Sequence, residues 1–146
     1  MSTSAAIFPN LDQAAAKTNG SAPTGSVLLV EDDESLADLL KHLLTRMQVR
    51  VVHAPTAALG VKALGEHRSH ISLAIVDCHL PDSEGGELCR QLRELVPGLP
   101  LLLSSGRDQR ALEATFSATG PCSFLAKPYM PADVMGRVKS MLLRKT

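Results

Sequence analysis

The sequence is poor in aromatic residues, with no Trp, one Tyr and three Phe among its 146 residues. Aliphatic side chains must therefore fill the interior, and hydrophobic residues make up 45% of the chain, which is enough for a packed core. The chain also lacks net charge, because Lys and Arg total 15 and Asp and Glu total 15. Generic nucleic-acid binding needs surplus positive charge to displace counterions, so we expect no direct binding to nucleic acid.

Two hydrophobic targeting signals are also missing from the sequence. No apolar run approaches the roughly 20 residues that cross a bilayer. No basic segment followed by an apolar stretch opens the chain, as it would in a signal peptide.

The cysteines, Cys78, Cys89 and Cys122, are odd in number and match neither a disulfide framework nor a zinc knuckle. These absences predict a cytoplasmic protein with free thiols, no zinc site and no membrane partner.

Short apolar runs alternate with longer amphipathic segments in most of the chain. Residues 1–25 are rich in small and polar residues and are predicted to form a flexible N-terminal tail, whereas 26–146 are predicted to form one domain. Strands are expected at 27–30, 49–53, 71–76, 101–103 and 123–126, and helices at 35–47, 55–67, 87–96, 108–118 and 131–143. This strict alternation is typical of an α/β fold, a doubly wound parallel sheet with helices on both faces.

Polar side chains follow four of the predicted strands. Glu31-Asp32-Asp33 follow the first strand, Asp77 the third, Ser105-Gly106 the fourth and Lys127-Pro128 the fifth. Because the carboxyl ends of parallel strands meet at one edge of a sheet, we expect these side chains to converge there. Crowded carboxylates repel one another, and oxygen ligands favour a hard cation such as Mg²⁺. With an added lysine, such an edge suits a phosphoryl group, and a carboxylate would be the nucleophile.

Each of these residues also has an ordinary structural interpretation. Asp33 or Glu34 can cap the first helix, Ser105 can be a turn residue, and Lys127-Pro128 can be a surface pair. Four polar positions at four strand ends, all suited to one chemical task, favour the functional interpretation over four unrelated ones.

Four motifs carry a resemblance to a known family. They are Val27-Leu28-Leu29-Val30-Glu31-Asp32-Asp33, Val76-Asp77-Cys78-His79-Leu80-Pro81-Asp82, Pro100-Leu101-Leu102-Leu103-Ser104-Ser105-Gly106 and Phe124-Leu125-Ala126-Lys127-Pro128. In this order and at these separations, they make the segment 26–144 resemble a response regulator receiver domain of two-component signalling, of the chemotaxis-type single-domain kind. The resemblance implies a flavodoxin-like (βα)5 fold with strand order 2-1-3-4-5.

The resemblance also implies a role for each acidic residue. Asp77 would be the phosphoacceptor. Glu31 and Asp32 match the acidic pair, with Asp32 as the more direct Mg²⁺ ligand and Glu31 acting mainly through water. Asp77 itself and the backbone carbonyl of His79 would supply further oxygens to the metal.

The remaining roles concern charge compensation and switching. Lys127 would pair with Asp77 and then with the attached phosphoryl group, to which Ser105 would hydrogen-bond. Ser105 replaces the commoner Thr and keeps the hydroxyl, just as Glu31 replaces the commoner Asp and keeps the charge. Phe124 takes the aromatic switch position; it has no hydroxyl, so ring rotation is the switch that remains available.

The implied function is that of a stand-alone response regulator. A histidine kinase or histidine phosphotransfer protein would donate the phosphoryl group, and an unidentified protein would read the changed surface. Mg²⁺-dependent self-phosphorylation from a phosphodonor and autodephosphorylation would be its only chemistry. The starting Met, and the lack of an effector module after the final predicted helix, favour a stand-alone protein. Whether the phosphorylated form dimerises stays open.

Other interpretations remain at this point. A phosphatase of the haloacid-dehalogenase type also uses an Asp nucleophile, but it needs a second Asp where this chain has His79. An FMN-binding flavodoxin-like protein needs a Ser/Thr/Gly-rich loop where this chain has Glu31-Asp32-Asp33-Glu34. The chain could also be the receiver fragment of a larger regulator or hybrid kinase. A degenerate receiver that signals without phosphate is disfavoured, because every key residue is present.

Overall fold

The structure, a computed structural model, describes the backbone of residues 25–105 and 110–143. The predicted N-terminal tail therefore lies outside the described residues except for its last position. The strands are β1 (Ser26–Val30), β2 (Arg50–Ala54), β3 (Ile71–Asp77), β4 (His79–Leu80), β5 (Ser83–Glu84), β6 (Leu101–Ser105) and β7 (Cys122–Ala126). The helices are α1 (Glu34–Arg46), α2 (Ala57–His67), α3 (Gly85–Leu95), α4 (Arg110–Ser117) and α5 (Pro131–Leu143).

Five of the strands form one parallel sheet in the order β2-β1-β3-β6-β7. These are the second, first, third, fourth and fifth predicted strands, so the predicted order 2-1-3-4-5 is confirmed. The direction of strand order reverses at β1, which pairs with β2 on one side and with β3 on the other. In a doubly wound sheet the ligand site lies outside the carboxyl ends of the strands at such a reversal.

The sheet separates two hydrophobic clusters. In β1, Val27 and Leu29 pack in the cluster that includes residues of α1 and α5, whereas Leu28 and Val30 pack in the cluster that includes residues of α2 and α3. All four side chains are fully buried. Successive residues of a strand point to opposite faces, so a strand covered on both sides must be apolar throughout. This explains why the central strands were recognisable as continuous apolar runs.

Side chains at two helix starts account for where those helices begin. Asp33 Oδ1 accepts the backbone N–H of Leu36 at 3.1 Å and caps α1. The Thr56 hydroxyl accepts the N–H of Leu59 at 3.1 Å and caps α2. Each cap satisfies one of the N–H groups that a helix start leaves without an internal partner. The structural interpretation of Asp33 is therefore confirmed.

The segment between β3 and α3 differs from its prediction. The sequence predicts neither strand nor helix between residue 76 and residue 87. In the structure, β4 and β5, of two residues each, form an antiparallel hairpin there, and α3 begins at Gly85 instead of Glu87. The Asp82 carboxylate stabilises this hairpin from its turn, because it accepts the first two N–H groups of α2 at 2.9 and 3.1 Å. These two bonds lower the pKa of Asp82 and fix the hairpin against the neighbouring helix.

Within residues 25–105 and 110–143, the structure contains no helix that is both long enough and apolar enough to cross a membrane.

Candidate phosphoacceptor and metal site

Asp77 is the last residue of β3 and lies at the carboxyl edge of the sheet. The residue is only 3% exposed. Its Oδ1 accepts the backbone N–H of His79 at 2.9 Å, and its Oδ2 lies 3.2 Å from Nζ of Lys127. Lys127 follows β7, 50 residues further along the chain. The fold thus brings the predicted acceptor and the predicted lysine into direct contact.

Two more carboxylates lie beside Asp77. Glu31, which is 1% exposed, and Asp32, which is exposed, follow β1. One carboxylate oxygen from each of Glu31, Asp32 and Asp77 lies within 4.8 Å of the others. We call these three residues, together with Lys127, the acidic pocket. Hard oxygen donors at this spacing suit Mg²⁺. Because this ion usually takes one or two carboxylates directly and keeps several waters, the third carboxylate would act through a water.

The acidic pocket holds more negative charge than its own cation balances. Burial, a hydrogen bond to Asp77 and the charge of Asp77 together raise the pKa of Glu31 to about 7. Two groups act in the opposite direction: the backbone N–H of Asp33, 3.2 Å from Oε2, and the Lys127 ammonium, 3.9 Å from Oε1. Near neutral pH the Glu31 carboxyl therefore retains a proton for part of the time, and a divalent cation would displace that proton.

Sequence reasoning missed two residues that contact Glu31. The Tyr129 hydroxyl donates to Glu31 Oε1 at 3.1 Å and also hydrogen-bonds the Ser104 hydroxyl. The His53 ring bonds the Glu31 backbone carbonyl through Nε2 at 2.8 Å. Burial raises the pKa of Tyr129 above its ordinary value, so the phenol stays protonated. The available signal for Tyr129 was its position: it is the only tyrosine, and it directly follows the Lys-Pro pair.

The other predicted site residues are located less completely. Ser105 ends β6, next to β3 in the sheet, but its side chain lies outside the described part of the structure. Phe124 is half-buried in β7. His79 belongs to the β4–β5 hairpin, and its N–H bonds Asp77. The hydroxyl contact of Ser105, the switching of Phe124 and the metal contact of the His79 carbonyl stay predictions.

Cys78 lies next to the acceptor but is not suited to act as a nucleophile. It is buried and packs in the hydrophobic cluster shared with α2 and α3. Burial and the negative charge of Asp77 raise the pKa of its thiol to about 11. Because the thiolate is the reactive form of cysteine, Cys78 is best understood as a packed side chain.

Comparison with known protein families identifies a family with the same fold. The family model described as the response regulator receiver domain matches residues 27–139. The chain belongs to the response regulator receiver family. Transcriptional regulatory protein CreB of Escherichia coli is 34% identical to this receiver over 120 residues, which cover 82% of this chain and 51% of CreB. The transcriptional regulatory protein PhoP of Bacillus subtilis is 32% identical over 119 residues, covering 81% and 48%. The receiver therefore spans about half the length of the curated relatives it matches.

Solved receiver structures share the fold. A CheY-like receiver domain from Methanospirillum hungatei superposes with a TM-score of 0.75 at 27% identity, covering 83% of this chain and 95% of that one. A receiver domain from Clostridium thermocellum has the same TM-score at 20% identity, covering 83% and 96%. The predicted flavodoxin-like receiver fold is thus confirmed. Family membership also favours the receiver over the FMN-binding and phosphatase interpretations.

Proposed function

We propose that Asp77 accepts a phosphoryl group from a phosphohistidine of a histidine kinase or phosphotransfer protein. The observation that carries this proposal is the surroundings of the Asp77 carboxylate. It is buried at the edge of the sheet, 3.2 Å from Lys127 Nζ, with carboxylate oxygens of Glu31 and Asp32 within 4.8 Å. A carboxylate with an adjacent ammonium and a cation site has what phosphoryl transfer requires, namely position and charge neutralisation.

In the proposed transfer, an oxygen of Asp77 attacks phosphorus, forming a P–O bond. The P–N bond of the phosphohistidine breaks, and its electrons return to the imidazole. Lys127 would move from the Asp77 carboxylate to the phosphoryl oxygens, and the Ser105 hydroxyl would donate to another of them. An Mg²⁺ ion held by Asp32, Asp77 and the His79 carbonyl, with Glu31 acting mainly through water, would supply further positive charge. Water would later hydrolyse the acyl phosphate in the same pocket.

The proposed output is a change in the surface formed by α4, β7 and α5. Ser105 would be drawn toward the phosphoryl group, and the half-buried Phe124 on β7 would then turn inward. Such a response is a population shift between two packings, biased by a local change in charge. The surface would be read by a partner protein.

Two arrangements for delivering this output remain candidates. The first is a stand-alone cytoplasmic receiver that binds its target directly, and the free thiols of the three cysteines fit such a reducing compartment. The second is a receiver segment of a longer regulator. It is favoured by the curated relatives, which are named as transcriptional regulators and are about twice as long as this chain.

The test of the proposed function is phosphorylation by acetyl phosphate with Mg²⁺, followed by intact-mass measurement. We expect one added phosphoryl group on the wild type and none on Asp77→Asn, because the amide is not a nucleophile. Asp38→Asn is the matched control, since Asp38 is an exposed acid on α1 whose side chain is 76% exposed. Equal labelling of Asp77→Asn and the wild type would refute the assignment.

A further inference from the structure

Tyr129 places an apolar ring in the hydrophobic core and a hydroxyl at the acidic pocket. It follows the Lys127-Pro128 pair and lies two residues before Pro131, where α5 begins. Its ring packs in the hydrophobic cluster that includes α1 and α5, and only 7% of the residue is exposed. Its hydroxyl nevertheless reaches Glu31, 98 residues away in the chain, at 3.1 Å. A phenylalanine would fill the same volume, so the contact depends on the hydroxyl alone.

The direction of the hydrogen bonds around Tyr129 follows from proton counting. A phenol has one hydrogen, and Tyr129 donates it to Glu31. Ser104 is fully buried, and its hydroxyl bonds the same phenolic oxygen, so Ser104 must be the donor in that pair. The two hydroxyls thus form a chain from Ser104 through Tyr129 to Glu31. Hydrogen bonds in such a chain polarise and strengthen one another.

This chain of hydroxyls crosses the sheet beside the acceptor. Ser104 in β6 is the register partner of Asp77 in β3, and Glu31 follows β1 on the other side of β3. The Glu31 carboxylate is consequently held from several directions. Tyr129 bonds Oε1 and the Asp33 N–H bonds Oε2, while Lys127 Nζ lies 3.9 Å from Oε1.

We infer that Tyr129 is a positioning residue, which holds the Glu31 carboxylate in the geometry that the acidic pocket uses for Mg²⁺. This inference rests on the proposed metal-dependent function. Without the phenolic hydrogen bond, Glu31 would keep only Asp33 and Lys127 to oppose its repulsion from Asp77. Glu31 would then be free to take other rotamers. Ordering its side chain on cation binding would reduce the affinity for Mg²⁺.

The experiment is an amide NMR titration of metal-free, isotope-labelled protein with Mg²⁺. We expect Tyr129→Phe to weaken Mg²⁺ binding by about tenfold, the loss of one hydrogen bond to a charged group. In the metal-free protein, the Asp33 amide resonance should also shift, since that N–H bonds the other oxygen of Glu31. Ser72→Ala is the matched control: it deletes a buried hydroxyl near the opposite end of β3 and should change neither.

A second variant separates positioning from a general effect on packing. The Glu31→Ala background lacks the carboxylate that accepts the Tyr129 hydrogen bond. Adding Tyr129→Phe there should change the Mg²⁺ dissociation constant by less than about twofold. The same tenfold loss in that background would overturn the inference. So would a Tyr129→Phe single variant with wild-type affinity and an unshifted Asp33 amide.

The two proposals can fail separately in this experiment. If the wild type itself binds no Mg²⁺, the metal-dependent function fails before any variant is considered, and with it the role of Tyr129 toward the metal. If the wild type binds Mg²⁺ and accepts phosphate while Tyr129→Phe behaves identically, only the role of Tyr129 fails. Remote amide resonances that stay in place show that each variant keeps its fold.

Discussion

Arg93 and the acidic pocket both place charge inside the protein, but they balance it in different ways. Arg93 on α3 is 8% exposed, and its guanidinium also lies 5.8 Å from the centre of the Phe116 ring. Among the described residues, its N–H groups donate to neutral oxygens: the carbonyls of Leu99, Phe116 and Pro121 and the hydroxyl of Thr119. These bonds tie the end of α4 and the connections before β6 and β7 to α3.

The acidic pocket contains like charges with too few opposite ones. Three carboxylates share one ammonium. Burial, together with the hydrogen bond to Asp77 and its negative charge, raises the pKa of Glu31. The comparison indicates how a buried charge can be interpreted. A cation whose donors all meet fixed neutral acceptors stabilises the fold, whereas crowded carboxylates are stable only with a proton or a bound cation.

Arg93→Ala should have the largest effect on stability. It removes several buried hydrogen bonds and leaves backbone carbonyls without partners, so we expect the free energy of unfolding to fall by about 3 kcal/mol. Urea unfolding followed by circular dichroism measures this. Arg90 is the matched control on the same helix, because its exposed guanidinium pairs with Glu87 and Glu94, which are exposed as well. Arg90→Ala should change the urea midpoint far less, because solvent screens its exposed ion pairs. Equal losses in the two variants would contradict the comparison.

Glu31→Gln should have the next largest effect, and its sign depends on pH. The folded-state pKa of Glu31 is raised from 4.5 to about 7, so its contribution to stability is fully present below about pH 4.5 and is lost as pH rises through 7. In EDTA, the wild type should therefore lose stability across this window through Glu31. Glu31→Gln should lack that loss and be the more stable protein at pH 8. Parallel profiles of stability against pH would contradict the charge balance described for the pocket.

Addition of Mg²⁺ should have the smallest of the three effects. At a concentration ten times the dissociation constant, a ligand that binds only the folded state stabilises it by about 1.4 kcal/mol. We expect this gain in the wild type, measured as a shift in the urea midpoint at pH 8. It should disappear in Asp32→Ala, which removes the proposed direct ligand, and persist in Asp38→Ala, which removes an exposed acid elsewhere. A gain that survives Asp32→Ala would place the cation outside the pocket.

Much of the fold and of the pocket could be predicted from local patterns. Apolar runs located the five parallel strands, and the acids, Ser105 and the lysine after those runs were expected to share one edge. Arg93 and Tyr129 could not be interpreted in this way. Along α3 an arginine is usually a solvated residue, and an aromatic residue before α5 is usually part of the core. Their partners lie 6 to 28 residues away for Arg93 and up to 98 residues away for Tyr129.

The sequence by itself determined which chemical groups gather at the carboxyl edge, because strand polarity and strict alternation leave the ends of parallel strands only one side on which to meet. The tertiary structure alone decided how those groups are charged and held. Burial and the nearby charges raise the pKa of Glu31. Lys127 lies in contact with Asp77, and the Tyr129 hydroxyl in contact with Glu31, at distances of 3.2 and 3.1 Å. Such distances arise from packing between elements far apart in the chain, so the hydrophobic periodicity of the sequence does not predict them.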